Sequence, residues 1–217
     1  MPTLGAFHDL VAAEANKGTR LDSIIPGWVR RAATWLERNY SFTYMDRHVS
    51  FVLDPNASEP RIAPIDGTVK SINFIKRLDV DNPLRRYDLE RVAPQDTDLI
   101  EEGPPTQYWL DGHQWLWFNR VPDVIYTFNM SYVAYSAWPL GAADEHWLLD
   151  YAEDVLLAKT MLFMAPGQRE PEWLQTYAGM YAEGLQTAIT ADNELKYHNV
   201  KAFMQYKPDF IDDPRLG

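Results

Sequence analysis

The middle of the chain alternates between apolar runs and turn-forming residues. Across residues 104–135, aromatic and β-branched residues fill the runs while Pro, Asp and Gly separate them, which is typical of consecutive antiparallel strands. In the last run every second position is apolar, and these positions are Tyr126, Phe128, Met130 and Tyr132. The alternation predicts a strand in a sheet that is covered on one side.

The pair Asp111-Gly112 interrupts this region between two aromatic runs. A two-residue type I′ turn needs positive φ at both central positions, and Asp followed by Gly tolerates that conformation. We therefore predict a β-hairpin that turns at Asp111 and Gly112.

Both ends of the chain have apolar residues at helical spacing. The spacing predicts helices over residues 4–16, 23–39 and 147–165, and a further helix from residue 171 onward. We expect Asp22 or Ser23 to cap the second helix, with Pro26 in its first turn. Its core-facing stripe consists of Ile25, Val29, Ala32, Ala33, Leu36 and Tyr40. Residues 193–206 either prolong the last helix or form a separate tail.

Shorter apolar runs with frequent turn residues separate the helices. They predict strands at residues 42–44, 49–53, 61–65 and 69–78. We expect residues 79–103 to form a loop with a short helix or turn at 94–99, and residues 137–144 to form a connector. The prolines and aspartates of the last ten residues predict an extended tail.

These elements predict an α+β fold in one 217-residue protein. The N- and C-terminal helices, residues 1–40 and 147–206, form a helical bundle. An antiparallel β-sheet or sandwich, residues 41–140, is inserted between them. Residues 207–217 form the extended C-terminal tail.

The composition limits the class of protein. Hydrophobic residues make up 46% of the chain, which is enough for a core, and no apolar stretch approaches the length of a bilayer crossing. We therefore expect a soluble protein without a signal peptide. The chain has no cysteine, which excludes disulfides, thiolate metal ligands and cysteine nucleophiles.

The charge is large and unevenly distributed. A net charge of −11 argues against electrostatic gripping of nucleic acid, which needs Lys and Arg. Residues 17–47 nevertheless contain six basic and three acidic residues, while residues 79–111 contain nine acidic residues and three arginines. These opposite poles favour head-to-tail association of subunits, and the alternative is ordinary solvated surface charge.

No catalytic, cofactor-binding or metal-binding residues are identified. Asp79-Val80-Asp81 and Asp96-Thr97-Asp98 resemble the start of a calcium loop, but the glycine and the distal glutamate are missing. The five histidines lack ligand spacing. In Asp144-Glu145-His146 the acids are interpreted as capping the next helix. The chain has neither a glycine-rich phosphate loop nor a serine elbow.

Four aromatic residues of the central region suggest an alternative function. Tyr108, Trp109, Trp115 and Trp117 could form a platform that stacks sugars, as in a carbohydrate-binding module. Because Trp115 and Trp117 share a strand face, we expect them instead to fill the core beneath the C-terminal helices.

The order and spacing of several motifs resemble the head-to-tail adaptor (connector) proteins of tailed bacteriophages. The resemblance covers residues 21–192. It rests on the helix Ile25-Pro26-Gly27-Trp28 to Glu37, the segment Gly103 to Tyr108, the Asp111-Gly112 turn, the strand ending before Pro122-Asp123, Tyr132, the start Trp147-Leu148-Leu149, and the aromatic helix Trp173 to Leu185.

The resemblance implies a structural, non-enzymatic protein of the virion neck, assembled in the host cytoplasm. Its copies are expected to form a ring, a dodecamer, below the portal protein and above a downstream tail or neck protein. DNA passes through the ring without sequence-specific binding, and no membrane is involved. The C-terminal tail, represented by Lys207, Pro208, Asp209, Phe210 and Ile211, is expected to bind the portal.

The charge poles add candidates for the seam between subunits. They are Arg30, Arg31 and Arg38 from the basic region, and Asp79, Asp81, Glu101 and Glu102 from the acidic stretch. We expect the acidic stretch to lie along the channel or at the seam, where it meets the arginines of the next subunit. The alternative is a solvated loop on the outside.

Overall fold

A computed structural model describes residues 2–15, 23–65, 67–82, 84–94, 101–139, 141–165 and 171–205. The fold is α+β and divides into two compact units. The helical unit contains Met1–Tyr44 and Trp138–Gly217, and the β unit contains Met45–Ala137. The chain therefore enters the β unit once and leaves it once.

The helical unit contains five α-helices within the described residues. They are α1 Leu4–Glu14, α2 Ile25–Asn39, α3 Trp147–Tyr151, α4 Glu153–Met164 and α5 Pro171–Gln205. Helix α4 contacts each of the other four. It is buried on most sides, as its sequence predicts, with Val155, Leu156, Leu157, Ala158 and Met161 all in the core.

The first two helices follow their predicted apolar stripes. Helix α1 buries Leu4, Phe7 and Val11, although Leu10 is exposed. Helix α2 buries Ile25, Val29, Ala32, Ala33 and Leu36. The predicted cap of α2 is wrong: its N-cap is Ile24, whose side chain cannot accept a hydrogen bond, and Pro26 lies in the first turn.

The predicted helix over residues 147–165 is broken at Ala152. This residue has φ −145° and ψ 43°, which ends α3 and starts α4 in a new direction. The Ala152 amide donates to the Leu148 carbonyl at 2.9 Å, and the Ala152 carbonyl accepts from the Leu156 amide at 3.0 Å. The amide and the carbonyl of Ala152 therefore both keep a hydrogen bond, so the break leaves no unpaired backbone group at this residue.

Helix α5 is one continuous element of 35 residues, so residues 193–205 prolong it. Its Asp192 is buried and accepts hydrogen bonds from the Thr43 amide and from Lys196, each at 2.7 Å. The predicted strand at 42–44 is wrong, because Thr43–Met45 form a 3-10 turn held by this carboxylate.

The β unit contains ten short strands within the described residues. They are β1 Asp46–Leu53, β2 Ile62–Pro64, β3 Thr68–Leu78, β4 Arg86–Asp88, β5 Glu90–Arg91, β6 Glu101–Glu102, β7 Gln107–Asp111, β8 Trp115–Phe118, β9 Arg120–Val121 and β10 Tyr126–Tyr135. Two four-stranded sheets have the orders β1-β10-β3-β4 and β2-β8-β7-β5, and β6 pairs with β9.

The central strands do not form one meander. Strands β7 and β8 pair antiparallel, but β10 lies between β1 and β3 in the other sheet. The two sheets share one buried cluster, in which Phe118 of β8 lies 5.3 Å from Phe128 of β10 between ring centroids. The predicted alternation holds from Tyr126 to Met130, but residues 130–134 are all buried, so the second half of β10 is covered on both faces.

The hairpin between β7 and β8 turns one residue later than predicted. Asp111 pairs with Trp115 as the end of β7, and the two positive φ angles belong to Gly112 (60°) and His113 (66°). A positive φ is uncommon for a residue other than glycine. The His113 Nδ1 lies 3.0 Å from the Val69 carbonyl oxygen, a hydrogen bond that offsets the strain.

Part of the predicted acidic loop is strand. Strand β4 pairs with β3, β5 pairs parallel with β7, and β6 pairs parallel with β9. Leu89, between β4 and β5, is buried, and its amide donates to the Ile75 carbonyl at 2.9 Å. The strand pairings and this buried side chain together attach the stretch to the sheets. Apart from Pro94, the predicted short helix at 94–99 lies outside the described residues.

Candidate functional site

Three predicted seam residues line one groove in the helical unit. Arg30, Arg31 and Arg38 of α2 surround it together with Trp35 of α2 and Phe163 of α4, and its volume is about 600 Å³. Residues 30, 34 and 38 recur at intervals of four, so they share a face of the helix. We call this site the α2 groove.

Gly27 keeps one end of the α2 groove open. A Cβ atom built at this position meets no atom within 4 Å. The residue lies inside the first turns of α2, where glycine is a poor helix former, so its presence costs helix stability. Because Gly27 has no side chain, the space next to the helix backbone beside the arginines stays open.

The rings below the groove are already covered by the protein's own cations. The Arg31 guanidinium lies 5.3 Å from the Trp28 ring centroid and 4.8 Å from that of Phe163. The Lys159 ammonium lies 3.4 Å from the centroid of Trp35. The groove therefore presents charged groups held in place by cation–π contacts, beside rings that are partly exposed.

The arginines have no ionic partner in their own chain within the part that the structure describes: no carboxylate there lies within 4.0 Å of Arg30, Arg31 or Arg38. All three side chains are exposed. Such a set of guanidinium groups suits an anionic ligand that accepts paired hydrogen bonds, as a carboxylate does.

The acidic seam candidates lie in the β unit and differ from one another. Asp79 and Asp81 belong to the connection between β3 and β4, where Asp79 is an internal hydrogen-bond acceptor and Asp81 is exposed. The Tyr87 hydroxyl, donating at 2.9 Å, lowers the pKa of Asp79, and two backbone amides add to the effect. Asp79 therefore stays ionised in a structural role.

Glu101 and Glu102 form strand β6 and are both exposed. Glu101 pairs with Arg120 of β9 at 3.1 Å. Two more acids of the stretch find local partners, since Asp88 lies 3.5 Å from Lys76 and Glu90 accepts from Gln107 at 3.2 Å. Glu101 and Asp88 thus have cationic partners within the β unit, while Asp81 keeps its charge exposed.

A buried polar cluster joins Glu37 of α2 to the start of α3. Glu37, which the pattern leaves off the core stripe, is buried and accepts a hydrogen bond from Trp147 Nε1 at 3.2 Å. His146 Nε2 lies 3.8 Å from the same carboxylate oxygen. Trp147 is far from Glu37 in the sequence, so no local signal could have revealed this cluster.

His146 is the cap of α3 in place of the two acids before it. Its Nδ1 accepts from the Leu148 amide at 3.3 Å, which makes Nε2 the protonated nitrogen of the neutral ring. Burial lowers the pKa of His146 to about 4. At neutral pH the ring is uncharged and structural.

The aromatic residues of β7 and β8 divide between the two faces of their sheet. Tyr108 is buried in the core, whereas Trp109 and Trp117 stack on the opposite face with centroids 5.8 Å apart. Trp115 is 48% exposed. The expectation that Trp115 and Trp117 fill the core is therefore wrong: Leu116 and Phe118 occupy it.

Two groups of predicted candidates lie in parts of the chain that the structure does not describe. The tail residues Lys207, Pro208, Asp209, Phe210 and Ile211, and the motif Asp96-Thr97-Asp98, lie outside the described residues. Among the described residues, no group of three or more histidine, aspartate and glutamate side chains could hold a metal ion. The described helices include none that is long and apolar enough to cross a membrane.

Comparison with known proteins adds no relative: no protein-family model matches the chain, and no curated protein matches it either. Evidence for the function therefore comes from the sequence and structure of the chain itself.

Proposed function

We propose that this protein is a structural head-to-tail adaptor of a tailed bacteriophage. Its copies form a ring, a dodecamer, below the portal protein in the virion neck. The ring joins the capsid to a downstream tail or neck protein and lines the channel through which DNA leaves. This role requires no catalytic residue, cofactor or metal.

The observation that supports this proposal most is the order of the elements. Helices α1 and α2 precede the β unit, and α3, α4 and α5 follow it. This is the order on which the resemblance to adaptor proteins rests. In the proposal, the N- and C-terminal helices form a helical bundle below the portal. The β unit contacts the downstream tail or neck protein of the phage.

The distribution of charge gives further support. DNA can slide through a channel whose walls repel phosphate, and exposed acids such as Asp81, Glu101 and Glu102 would supply that repulsion or lie at the seam. The α2 groove gives the same subunit a positively charged surface as well. A subunit with two unlike surfaces suits a heterologous contact that closes by rotation.

Binding to the portal tests the proposal. The purified chain should co-purify with the portal protein of the same phage. Removal of residues 207–217 should weaken this binding and leave the melting temperature unchanged, because the truncation removes no part of the described helix α5, Pro171–Gln205. Docking that is unaffected by the truncation would contradict the role of the tail, and absence of docking by the full chain would contradict the proposal.

A carbohydrate-binding module is the second candidate. Trp109, Trp115 and Trp117 share the sheet face opposite Leu116 and Phe118. Trp109 is buried there, whereas Trp115 is 48% exposed. Stacking of a sugar on such a ring is a common mode of recognition. Glycan-array binding that Trp115→Ala abolishes without unfolding the chain would favour this function over the adaptor.

A further inference from the structure

The turn between β3 and β4 is held rigid by its own side chains. Asp79 accepts hydrogen bonds from the amides of Asp81 (2.9 Å) and Asn82 (3.1 Å), and Asn82 accepts from the Leu84 amide at 3.1 Å. The Asp79 amide donates to the Arg85 carbonyl at 3.0 Å, which closes the turn. A turn with this many internal bonds has little entropy left to lose on binding. We call residues 79–82 and 84–85 the β3–β4 tip.

The tip exposes apolar side chains that gain nothing from contact with water. Leu84 is 90% exposed and Val80 is 59% exposed, and the charged Asp81 lies between them in the sequence. Single exposed apolar residues are ordinary, but two on one turn give a small apolar surface that an interface would remove from water.

The α2 groove is complementary to this tip. It offers the exposed guanidinium groups of Arg30 and Arg38 beside the half-buried ring of Phe163. Its volume of about 600 Å³ is in the range that accepts small ligands or a few side chains. A carboxylate and a leucine side chain presented together would match the charge and the apolar wall of the groove.

Each of the two surfaces carries charge without an ion pair in the described part of the chain. Within the described residues, no carboxylate pairs with the groove arginines and no cation lies within 4.0 Å of the Asp81 carboxylate. Because one chain has both surfaces, a second copy of the same chain can supply an oppositely charged partner for each. Each copy would then contact two neighbours, one through its tip and one through its groove.

We propose that the β3–β4 tip of one copy docks in the α2 groove of the next copy, with Asp81 against Arg30 and Arg38 and Leu84 against Phe163. This inference rests on the proposed ring and names the two surfaces that form its seam. It distinguishes Asp81 from Asp79, whose carboxylate is used within the turn, and from Glu101, which is paired with Arg120.

Charge reversal in separate chains tests the contact. Asp81→Arg alone and Arg30→Glu alone should each raise the concentration for half-assembly at least about tenfold, because each places like charges in the contact. An equimolar mixture of the two variants should assemble again, since the guanidinium introduced in one chain then meets the carboxylate introduced in the other. Arg30 is chosen because Arg31 also holds the Trp28 and Phe163 rings.

Matched variants control for net charge. Arg91→Glu and Asp111→Arg make the same charge changes at exposed positions that belong to neither surface and should assemble like the wild type. Circular dichroism and urea unfolding of every variant show that the chain is folded. Assembly is followed by sedimentation velocity and native mass spectrometry, at low and high salt and with the portal added.

The outcomes separate the inference from the proposed function. Restoration in the mixture supports the tip–groove contact. A ring that forms from either variant as well as from the wild type, or a mixture that assembles no better than its components, overturns the contact and leaves the ring in place. A wild-type chain that stays monomeric with and without portal overturns both.

Discussion

The Lys159 ammonium of α4 lies 3.4 Å from the centroid of the Trp35 ring of α2, and 4.8 Å from that of Tyr181 on α5. One cation thus joins three helices beside the α2 groove. Burial lowers the pKa of Lys159, so the rings compensate for part of the lost hydration.

Removing this cation should destabilise the helical unit. Lys159→Met keeps most of the length of the side chain but loses the charge, and we expect the free energy of unfolding to fall by about 1 kcal/mol. Lys159→Arg keeps a cation over the rings and should retain most of the stability. Urea unfolding measures both variants. A methionine variant as stable as the wild type would show that the ammonium–ring contacts contribute nothing.

The buried His146 predicts a loss of stability in acid. Its pKa is about 4 in the folded chain and near 6.5 in the unfolded chain, so the unfolded state binds the extra proton between these values. Stability should therefore fall as the pH drops from about 6.5 to about 4, by at most about 3 kcal/mol from this group. Below pH 4 both states are protonated, and this contribution stops changing.

His146→Asn is the matched control for this prediction, because asparagine is a good N-cap and does not titrate. The variant should lose less stability than the wild type between pH 7 and pH 4.5 in urea unfolding at each pH. Parallel curves for the two proteins would mean that another group is responsible for the acid sensitivity.

Alternating substitutions in β8 check which of its faces is buried. Leu116→Ala should cost about 2–5 kcal/mol, because Leu116 is completely buried between the two sheets. Trp115→Ala should change the free energy of unfolding by less than about 1 kcal/mol, since half of the ring is already in water. Thermal or urea unfolding of the two variants gives the comparison, and the reverse order would contradict the observed register.

Two glycines should respond oppositely to alanine. Gly112 has φ 60° in the hairpin turn, so Gly112→Ala should destabilise the chain by about 1 kcal/mol. Gly179 lies in the exposed face of α5 with nothing near an added Cβ, so Gly179→Ala should stabilise it by about 0.5–1 kcal/mol. Urea midpoints measure both effects, and a stabilising change at Gly112 would refute the turn assignment.

The sequence predicts the elements with strong periodicity and misses what depends on distant partners. The stripe of α2 and the alternation of β10 from Tyr126 to Met130 identify buried faces directly. In β8 all four residues are apolar, so alternation cannot tell which face is inside, and the prediction puts the tryptophans on the wrong side. The break at Ala152 has no glycine or proline to mark it.

The α2 groove also depends on residues that are distant in the sequence. The charge of Arg30, Arg31 and Arg38 identifies them in the sequence, and their spacing on α2 brings them to one groove. The ring of Phe163, which forms the far wall, comes from α4 and could not be assigned to them from any local pattern. The rigidity of the β3–β4 tip likewise depends on Tyr87, which follows the tip on β4.

The mass of the assembly formed with the portal shows whether the chain forms a ring on the portal protein. Native mass spectrometry of the purified chain mixed with the portal protein of the same phage should give one dominant complex, with a closed dodecameric ring of identical copies on each portal. This ring should dissociate as salt is added, because its seam pairs exposed charges. A chain that remains monomeric beside the intact portal would contradict the proposed ring.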